Sequence, residues 1–249
     1  MKLEIVVVGA TSAVAQAAIR IWAERNASLT LVGRNADELA RIAADARVRR
    51  AADVVVVVGD LTNAAFITTT VAAFNTNSGA TAQALIAHGS LTDSALADVD
   101  VNYLATELNT NFVSAALWAQ ALAERLSRAD CGGGTVAVIS SVAGDRGRGS
   151  NHAYGAAKAG LTAFCSGLRA RMHARGVHIV TIKPGFIDSP MTAHIAKKGA
   201  LWASPETVAK GIVNAIDKNR DVVYLPGFWR VIMLIIAHVP EAIFKRLKF

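Results

Sequence analysis

Residues 3–15 read Leu-Glu-Ile-Val-Val-Val-Gly-Ala-Thr-Ser-Ala-Val-Ala, a continuous apolar run that stops at Gly9 and passes directly into small residues. Beyond the stop, Val14, Ala17, Ala18, Ile21 and Trp22 recur at helical spacing, so the stretch predicts strand, tight turn, helix. The alternation then repeats. Apolar runs at 29–32 and 54–58 flank an alanine-rich helical segment near 36–50, and the five consecutive valines of 54–58 predict a parallel strand covered on both faces. Four further runs, one ending at Ala87 and the others at 135–140, 177–182 and 221–225, are separated by stretches long enough for crossover helices. The pattern predicts an α/β fold, a doubly wound, Rossmann-like parallel sheet of about seven strands with helices on both faces. No linker or repeat interrupts it, so residues 1–249 are expected to form a single domain, with 226–249 as an apolar and basic appendage within it.

Composition narrows the function. A chain of 249 residues with 53% hydrophobic residues can bury a large core without covalent staples. Cys131 and Cys165 are far apart and lack ligand neighbours, which argues against a disulfide framework and a thiolate site; no metal is expected. The start MKLEIVVVGA places an acidic residue in a very short apolar run, predicting a first strand rather than an export signal and hence a cytoplasmic location. The net charge of +7 is scattered over residues such as Arg34, Arg41, Arg47, Arg125, Arg146, Arg148 and Arg169, with a small terminal group at Lys245, Arg246 and Lys248. Without a polybasic block, an aromatic stacking pattern or a recognisable DNA-binding spacing, no nucleic-acid partner is expected.

In a doubly wound sheet the binding crevice lies beyond the C-terminal strand ends, where the loops beginning at Gly9, Gly33, Asp60, His88, Ser141 and Pro184 converge. Gly9, Thr11, Ser12, Ala13 and Val14 can present backbone N–H groups and a helix N-terminus to a pyrophosphate. A plain turn is the other reading, since Ala13 and Ala15 depart from the three-glycine dinucleotide fingerprint. After the second strand, Gly33-Arg34-Asn35 offers no carboxylate to a ribose hydroxyl, whereas Arg34 can pair with a 2′-phosphate, favouring NADP(H); an ordinary surface arginine is the alternative. Asp60 can hydrogen-bond adenine, with loop capping as its rival role, and Leu61 can line the adenine's apolar face.

Tyr154 follows Ser141 by thirteen residues and Lys158 follows Tyr154 by four, so Tyr154 and Lys158 share a helix face. A nearby ammonium and a cationic nicotinamide favour the tyrosinate, letting the phenol exchange a proton with a carbonyl or alcohol. Ser141 can orient the same oxygen, and Asn111 on an earlier helix can hold a water or a helix carbonyl in a proton relay.

These motifs, GATSAVA at 9–15, Asn111, SSVAG at 140–144, YGAAK at 154–158 and PGFIDSPM at 184–191, resemble in their order the classical short-chain dehydrogenase/reductase family across most of the chain. The resemblance implies a catalytic tetrad of Asn111, Ser141, Tyr154 and Lys158, with tyrosine as proton donor, lysine touching the nicotinamide ribose and lowering the tyrosine pKa, and serine positioning the reacting oxygen. It also implies cofactor contacts by Gly9 and by Pro184, Gly185, Ile187 and Ser189, and His88 and Gly89 are expected beside them. The chain departs from the family at Ile86-Ala87-His88-Gly89, which stands where Asn-Asn-Ala-Gly is usual. His88 is therefore either a backbone-pairing histidine or a pocket donor, and His152 either a substrate contact or a helix-start residue. Arg146 and Arg148 either meet a phosphate-bearing substrate or lie in an exposed loop.

Val231 to Val239 forms an apolar stretch too short to predict a membrane span. With Phe228, Trp229, Ile232, Ile235, Ile236, Ile243 and Phe244 it predicts peripheral membrane or lipid-substrate contact, core docking or assembly into a homodimer or homotetramer. Within the family, the GATSAVA turn, the AHGS segment at 87–90 and this ending are similar to reductases of a keto sugar carried on a polyprenyl phosphate. That resemblance implies NADPH-dependent carbonyl reduction of a lipid-linked substrate. A general ketone, steroid or 3-ketoacyl reductase and a non-catalytic dinucleotide-binding protein are the alternatives.

Overall fold

The computed structural model describes residues 2–74, 80–128, 130–193, 195 and 198–247; Lys248, expected in the basic terminal group, lies outside them. Strand β1 (Leu3–Val8) turns at Gly9 into α1 (Ala13–Glu24), β2 (Ser28–Gly33) leads to α2 (Ala36–Val48), and β3 (Asp53–Val58) to α3 (Ala64–Ala73). After β4 (Thr81–Ile86) come α4 (Ser94–Val99), α5 (Val101–Leu108), a π-helical turn at Asn109–Val113 and α6 (Ser114–Leu126). Strand β5 (Gly134–Ile139) precedes α7 (His152–His173), and β6 (Val177–Pro184) precedes the short strands β7 (Phe186–Ile187) and β8 (Trp202–Ala203). Helix α8 (Pro205–Asp217), β9 (Val222–Leu225), α9 (Trp229–His238) and α10 (Glu241–Phe244) follow.

Seven strands form one parallel sheet in the order β3-β2-β1-β4-β5-β6-β9. Because β1 pairs with both β2 and β4, the winding reverses between them, and their C-terminal ends open a crevice there. The unbroken apolar runs follow from burial on two faces. Ile5 and Val7 join Ile19, Leu39 and Ile212 of α1, α2 and α8, while Val6 and Val8 join Ile67, Leu122 and Leu161 of α3, α6 and α7. Helix starts are fixed locally: Asn35, Asn63 and Ser204 each accept a backbone N–H of the first turn.

Two expectations are corrected. The valine run of β3 is not covered on both faces: β3 is an edge strand paired only to β2, and Val55 and Val58 are 47% and 48% exposed. Valine suits the extended backbone at an edge as well as in the middle of a sheet, so the run reports strand propensity rather than burial. The expected membrane association of the C-terminal segment is not supported. No helix of the described residues is long and apolar enough to cross a membrane, and Trp229 and Met233, one turn apart on α9, are buried against Val142. Phe244 is buried as well, beneath the Arg146 guanidinium at 4.4 Å from the ring centroid. Phe228, Val231, Leu234, Ile235 and Ile243 are exposed, so the segment docks one side on the body of the protein through Trp229 and Met233 and turns an apolar side outward.

Candidate active site

Gly9 adopts φ 79°, and a Cβ on it would come within 2.6 Å of the His88 backbone nitrogen, so glycine is required both by conformation and by the close approach of the β1 and β4 ends. Ser12 makes no side-chain cap on α1, which leaves the first N–H groups of that helix free to receive an anion. The turn opens onto a cleft of about 530 Å³. Gly9, Thr11, Ser12, Ala13, Val14, Arg34, Asp60 and Leu61 line it from the β1–β3 loops. His88, Gly89, Asn111, Ser141, Tyr154, Lys158, Pro184, Gly185, Ile187 and Ser189 line it from the β4–β6 side. The structure thus brings together in one crevice every residue singled out for the tetrad and for the cofactor.

On the β1–β3 side, Arg34 is exposed on the cleft wall and forms no ion pair among the described residues. Asp60 Oδ1 accepts from the Thr62 backbone and hydroxyl, both at 2.9 Å; these bonds, with nearby Arg34, hold its carboxyl below the usual range. That is the loop-capping role. Leu61 is buried, and its carbonyl accepts from the Ser114 hydroxyl at 2.7 Å and the Trp118 indole at 3.0 Å.

His88 joins the same chain of bonds. Its Nε2 lies 2.8 Å from Ser114 Oγ, whose own hydrogen goes to Leu61, so Nε2 carries the proton and Nδ1 is left a buried acceptor without a partner among the described residues. The ring pairs with a hydroxyl rather than with backbone. Burial, reinforced by Lys158 and Arg34, pushes its pKa down to about 3, so His88 is neutral at physiological pH and is no proton source there.

Asn111 is fully buried in the π-helical turn, a distortion that recurs at functional sites. Its Oδ1 accepts from the Ser90 backbone at 3.0 Å, and its Nδ2 donates to Ser90 Oγ at 3.0 Å and to Glu107 Oε2 at 3.3 Å. Glu107 Oε2 also accepts from Ser90 Oγ and Thr92 Oγ1, each at 2.8 Å. Sequence reasoning missed this buried carboxylate, although its position one helical turn before Asn111 is the signal that could have found it. The carboxamide is thus fixed by the loop after β4.

Ser140 and Ser141 divide the labour at the end of β5. Ser140 Oγ donates to the Lys158 carbonyl at 3.0 Å and meets Thr162 Oγ1 at 2.7 Å, tying the strand to α7. Ser141 faces Tyr154. Burial raises the Tyr154 phenol above its ordinary value, opposed by a hydrogen bond with Ser141 and by the charge of Arg148. Lys158 is 3% exposed; its Nζ donates to the Ile139 carbonyl at 3.1 Å and lies 5.8 Å from the centre of the Tyr154 ring. Burial pulls its pKa down to about 8, which keeps it cationic at neutral pH.

The remaining candidates separate. His152 is exposed at the start of α7 and faces Asp98 at 3.7 Å, away from the cleft-lining set. Arg146 is tied to the C-terminal segment, whereas Arg148 lines the cleft. Lys183 and Asp145 form a buried pair at 2.5 Å completed by the Tyr224 hydroxyl at 2.9 Å, a brace between β6, β9 and the loop after β5 that the sequence did not disclose. Gly185 supports the cleft from behind: a Cβ there would overlap the Trp229 indole.

The donor set fits a phosphorylated dinucleotide. The glycine turn with its uncapped helix suits a pyrophosphate, Arg34 a further phosphate, and Lys158 ribose hydroxyls.

Residues 4–200 match the short chain dehydrogenase family. An uncharacterized oxidoreductase of Mycobacterium tuberculosis is 33% identical over 221 residues, 89% of this chain and 88% of the relative. The ketoacyl reductase HetN of Nostoc is 33% identical over 129 residues, 49% of this chain and 45% of the relative. Among solved structures, a short chain dehydrogenase from Burkholderia cenocepacia in complex with NADP superposes with a TM-score of 0.82 at 19% identity, covering 100% of this chain and 98% of the other. An actinorhodin polyketide ketoreductase with NADPH gives a TM-score of 0.78 at 16% identity, covering 92% and 97%. None of these relatives is named for a polyprenyl-phosphate keto sugar.

Proposed function

The chain belongs to the short-chain dehydrogenase family, and from that premise we propose that it is an NADPH-dependent reductase converting a carbonyl to an alcohol in the cleft beside Tyr154. The observation that carries the reading is the convergence of Ser141, Tyr154 and Lys158 in the crevice that also holds the Gly9 turn. Bound NADPH supplies the hydride. The rest falls to the protein. Tyr154, kept protonated by burial, holds the proton for the reduced oxygen at its hydroxyl, and Ser141 aligns the carbonyl oxygen toward it. Lys158, cationic below about pH 8, orients ribose hydroxyls and stabilises the phenolate left after proton transfer. Asn111, clamped by Ser90 and Glu107, keeps the loop after β4 in place. Arg34 selects the 2′-phosphate, and Leu61 lines the adenine.

The finer part of the proposal is a keto sugar joined to a polyprenyl phosphate. Its support is the apolar lip of the cleft, where Leu91, Phe186 and Met191 are 38%, 40% and 47% exposed. A homodimer or homotetramer belongs to the same reading, supported by exposed Val113 and Leu117 one turn apart.

The experiment is NADPH oxidation by purified protein with polyprenyl-phosphate keto sugars, soluble sugars, ketoacyl compounds and steroids. Tyr154→Phe should lower kcat at least about a hundredfold while NADPH affinity stays within about twofold. An unchanged kcat, with a deuteride isotope effect showing that chemistry limits the rate, overturns the role of Tyr154. Turnover confined to soluble carbonyls removes the lipid-linked substrate.

A further inference from the structure

Two arginines leave the loop after Ser141, and the fold treats them differently. Arg146 is engaged on all sides: it donates to the Ala237 and Val239 carbonyls at 3.3 Å and to Glu241 at 2.5 Å, and it lies over the Phe244 ring. Arg148 lines the cleft beside Tyr154, yet its buried Nε–H has no acceptor, and it forms no ion pair among the described residues. On the same wall Asn151 Oδ1 is also buried without a donor among the described residues. The acid three residues before Arg148, Asp145, is occupied by Lys183 and Tyr224. Burial pulls the Arg148 guanidinium below its ordinary value, a sign that the cation is held back from water, with Tyr154 acting against that shift.

A buried N–H left without an acceptor is destabilising, so an unsatisfied guanidinium N–H on a cleft wall marks a place where a ligand completes the bonding. The ligand is not the adenosine phosphate, because Arg34 lies near Asp60 whereas Arg148 lies near Tyr154.

We propose that Arg148 and Asn151 form an anion-recognition subsite for the substrate, so that the protein prefers carbonyl compounds bearing a phosphate or carboxylate near the carbonyl and a hydroxyl that donates to Asn151. The planar guanidinium fork matches both anions. The inference rests on the reductase reading, which supplies the reacting carbonyl at Tyr154.

Matched pairs test it: dihydroxyacetone against its phosphate, and ethyl acetoacetate against acetoacetate, each with NADPH. In the wild type, kcat/KM for at least one anionic member should exceed that of its neutral partner about tenfold or more, mainly through KM, and the pair showing it distinguishes phosphate from carboxylate. Arg148→Gln should bring that ratio to about one, and Arg148→Lys should keep part of it. Neutral turnover with ratios near one in the wild type, or a ratio that survives in R148Q, overturns the subsite and leaves the reductase reading standing. The subsite is also read without turnover. Inorganic phosphate titrated into the NADPH-saturated protein, where Arg34 is occupied, should give a saturable change in nicotinamide fluorescence that weakens about tenfold or more in R148Q. No saturable signal in the wild type, or an equal one in R148Q, overturns the inference even if no carbonyl is reduced.

Discussion

Replacing Lys158 with methionine should make the cofactor-free protein more stable while removing its activity. At pH 7 the Lys158 ammonium is charged inside the fold, since burial brings its pKa from 10.5 to about 8 and no lower. The unfolded chain holds the same proton at the ordinary value. The gap corresponds to about 3 kcal/mol of destabilisation at ~1.4 kcal/mol per pH unit, present in full below pH 8. The hydrogen bond from Nζ to Ile139 offsets about 1 kcal/mol of this. Lys158→Met keeps the length and apolar contacts of the side chain, so it should gain about 2 kcal/mol at pH 7, roughly 4–8 °C in Tm for a chain of this size. Between pH 8 and 10.5 the unfolded wild type binds more protons than the folded one, so wild-type stability rises with pH and the advantage of K158M shrinks to less than about 1 kcal/mol by pH 9.5. Urea unfolding of both proteins without cofactor, at pH 7 and 9.5, measures the two differences, and NADPH oxidation should fall at least about a hundredfold in K158M. A K158M protein less stable than wild type at pH 7, or a difference that ignores pH, refutes the reasoning.

Two further outcomes are expected. Arg34→Ala should raise KM for NADPH about 10- to 100-fold and leave KM for NADH within about twofold, as judged by steady-state kinetics with each cofactor; an equal effect on both would remove Arg34 as the phosphate contact. Gly185→Ala forces a methyl group into the Trp229 indole and should destabilise by about 1–3 kcal/mol, whereas adding Trp229→Ala makes room for it. A double-mutant cycle by thermal or urea unfolding should then show coupling of about 1 kcal/mol or more, and simple additivity would mean that the C-terminal helix does not bear on the strand end.

The sheet was legible because parallel strands with two covered faces need uninterrupted apolar runs, and the runs ending at Val8, Ile86 and Ile139 are of that kind. The same signal misled at Val54–Val58, since residue type does not tell an edge strand from a central one. The cleft-lining residues were legible because each loop after a strand has to converge there, so position along the chain fixed their place without any knowledge of side-chain direction. What stayed hidden depends on long-range partners. Nothing local in the sequence distinguishes Arg146, held by residues more than ninety positions away, from Arg148, which is left open to the cleft. Glu107 reads as an ordinary polar helix residue until the loop at Ser90 and Thr92 folds over it. The C-terminal helix shows an apolar surface on paper, and only the pocket beside Val142 decides which side of it faces inward.

The seat of Trp229 against Gly185 has a consequence for how this protein can be altered. Helix α9, which lies beyond the part of the chain matched by the family, backs the cleft-lining Gly185 through the Trp229 indole. The position of that cleft wall is therefore buttressed from a stretch that contributes none of the cleft-lining residues. Libraries that diversify positions 226–247 should change which carbonyls are accepted while the chemistry stays intact, making the chain's tail a handle for retuning selectivity.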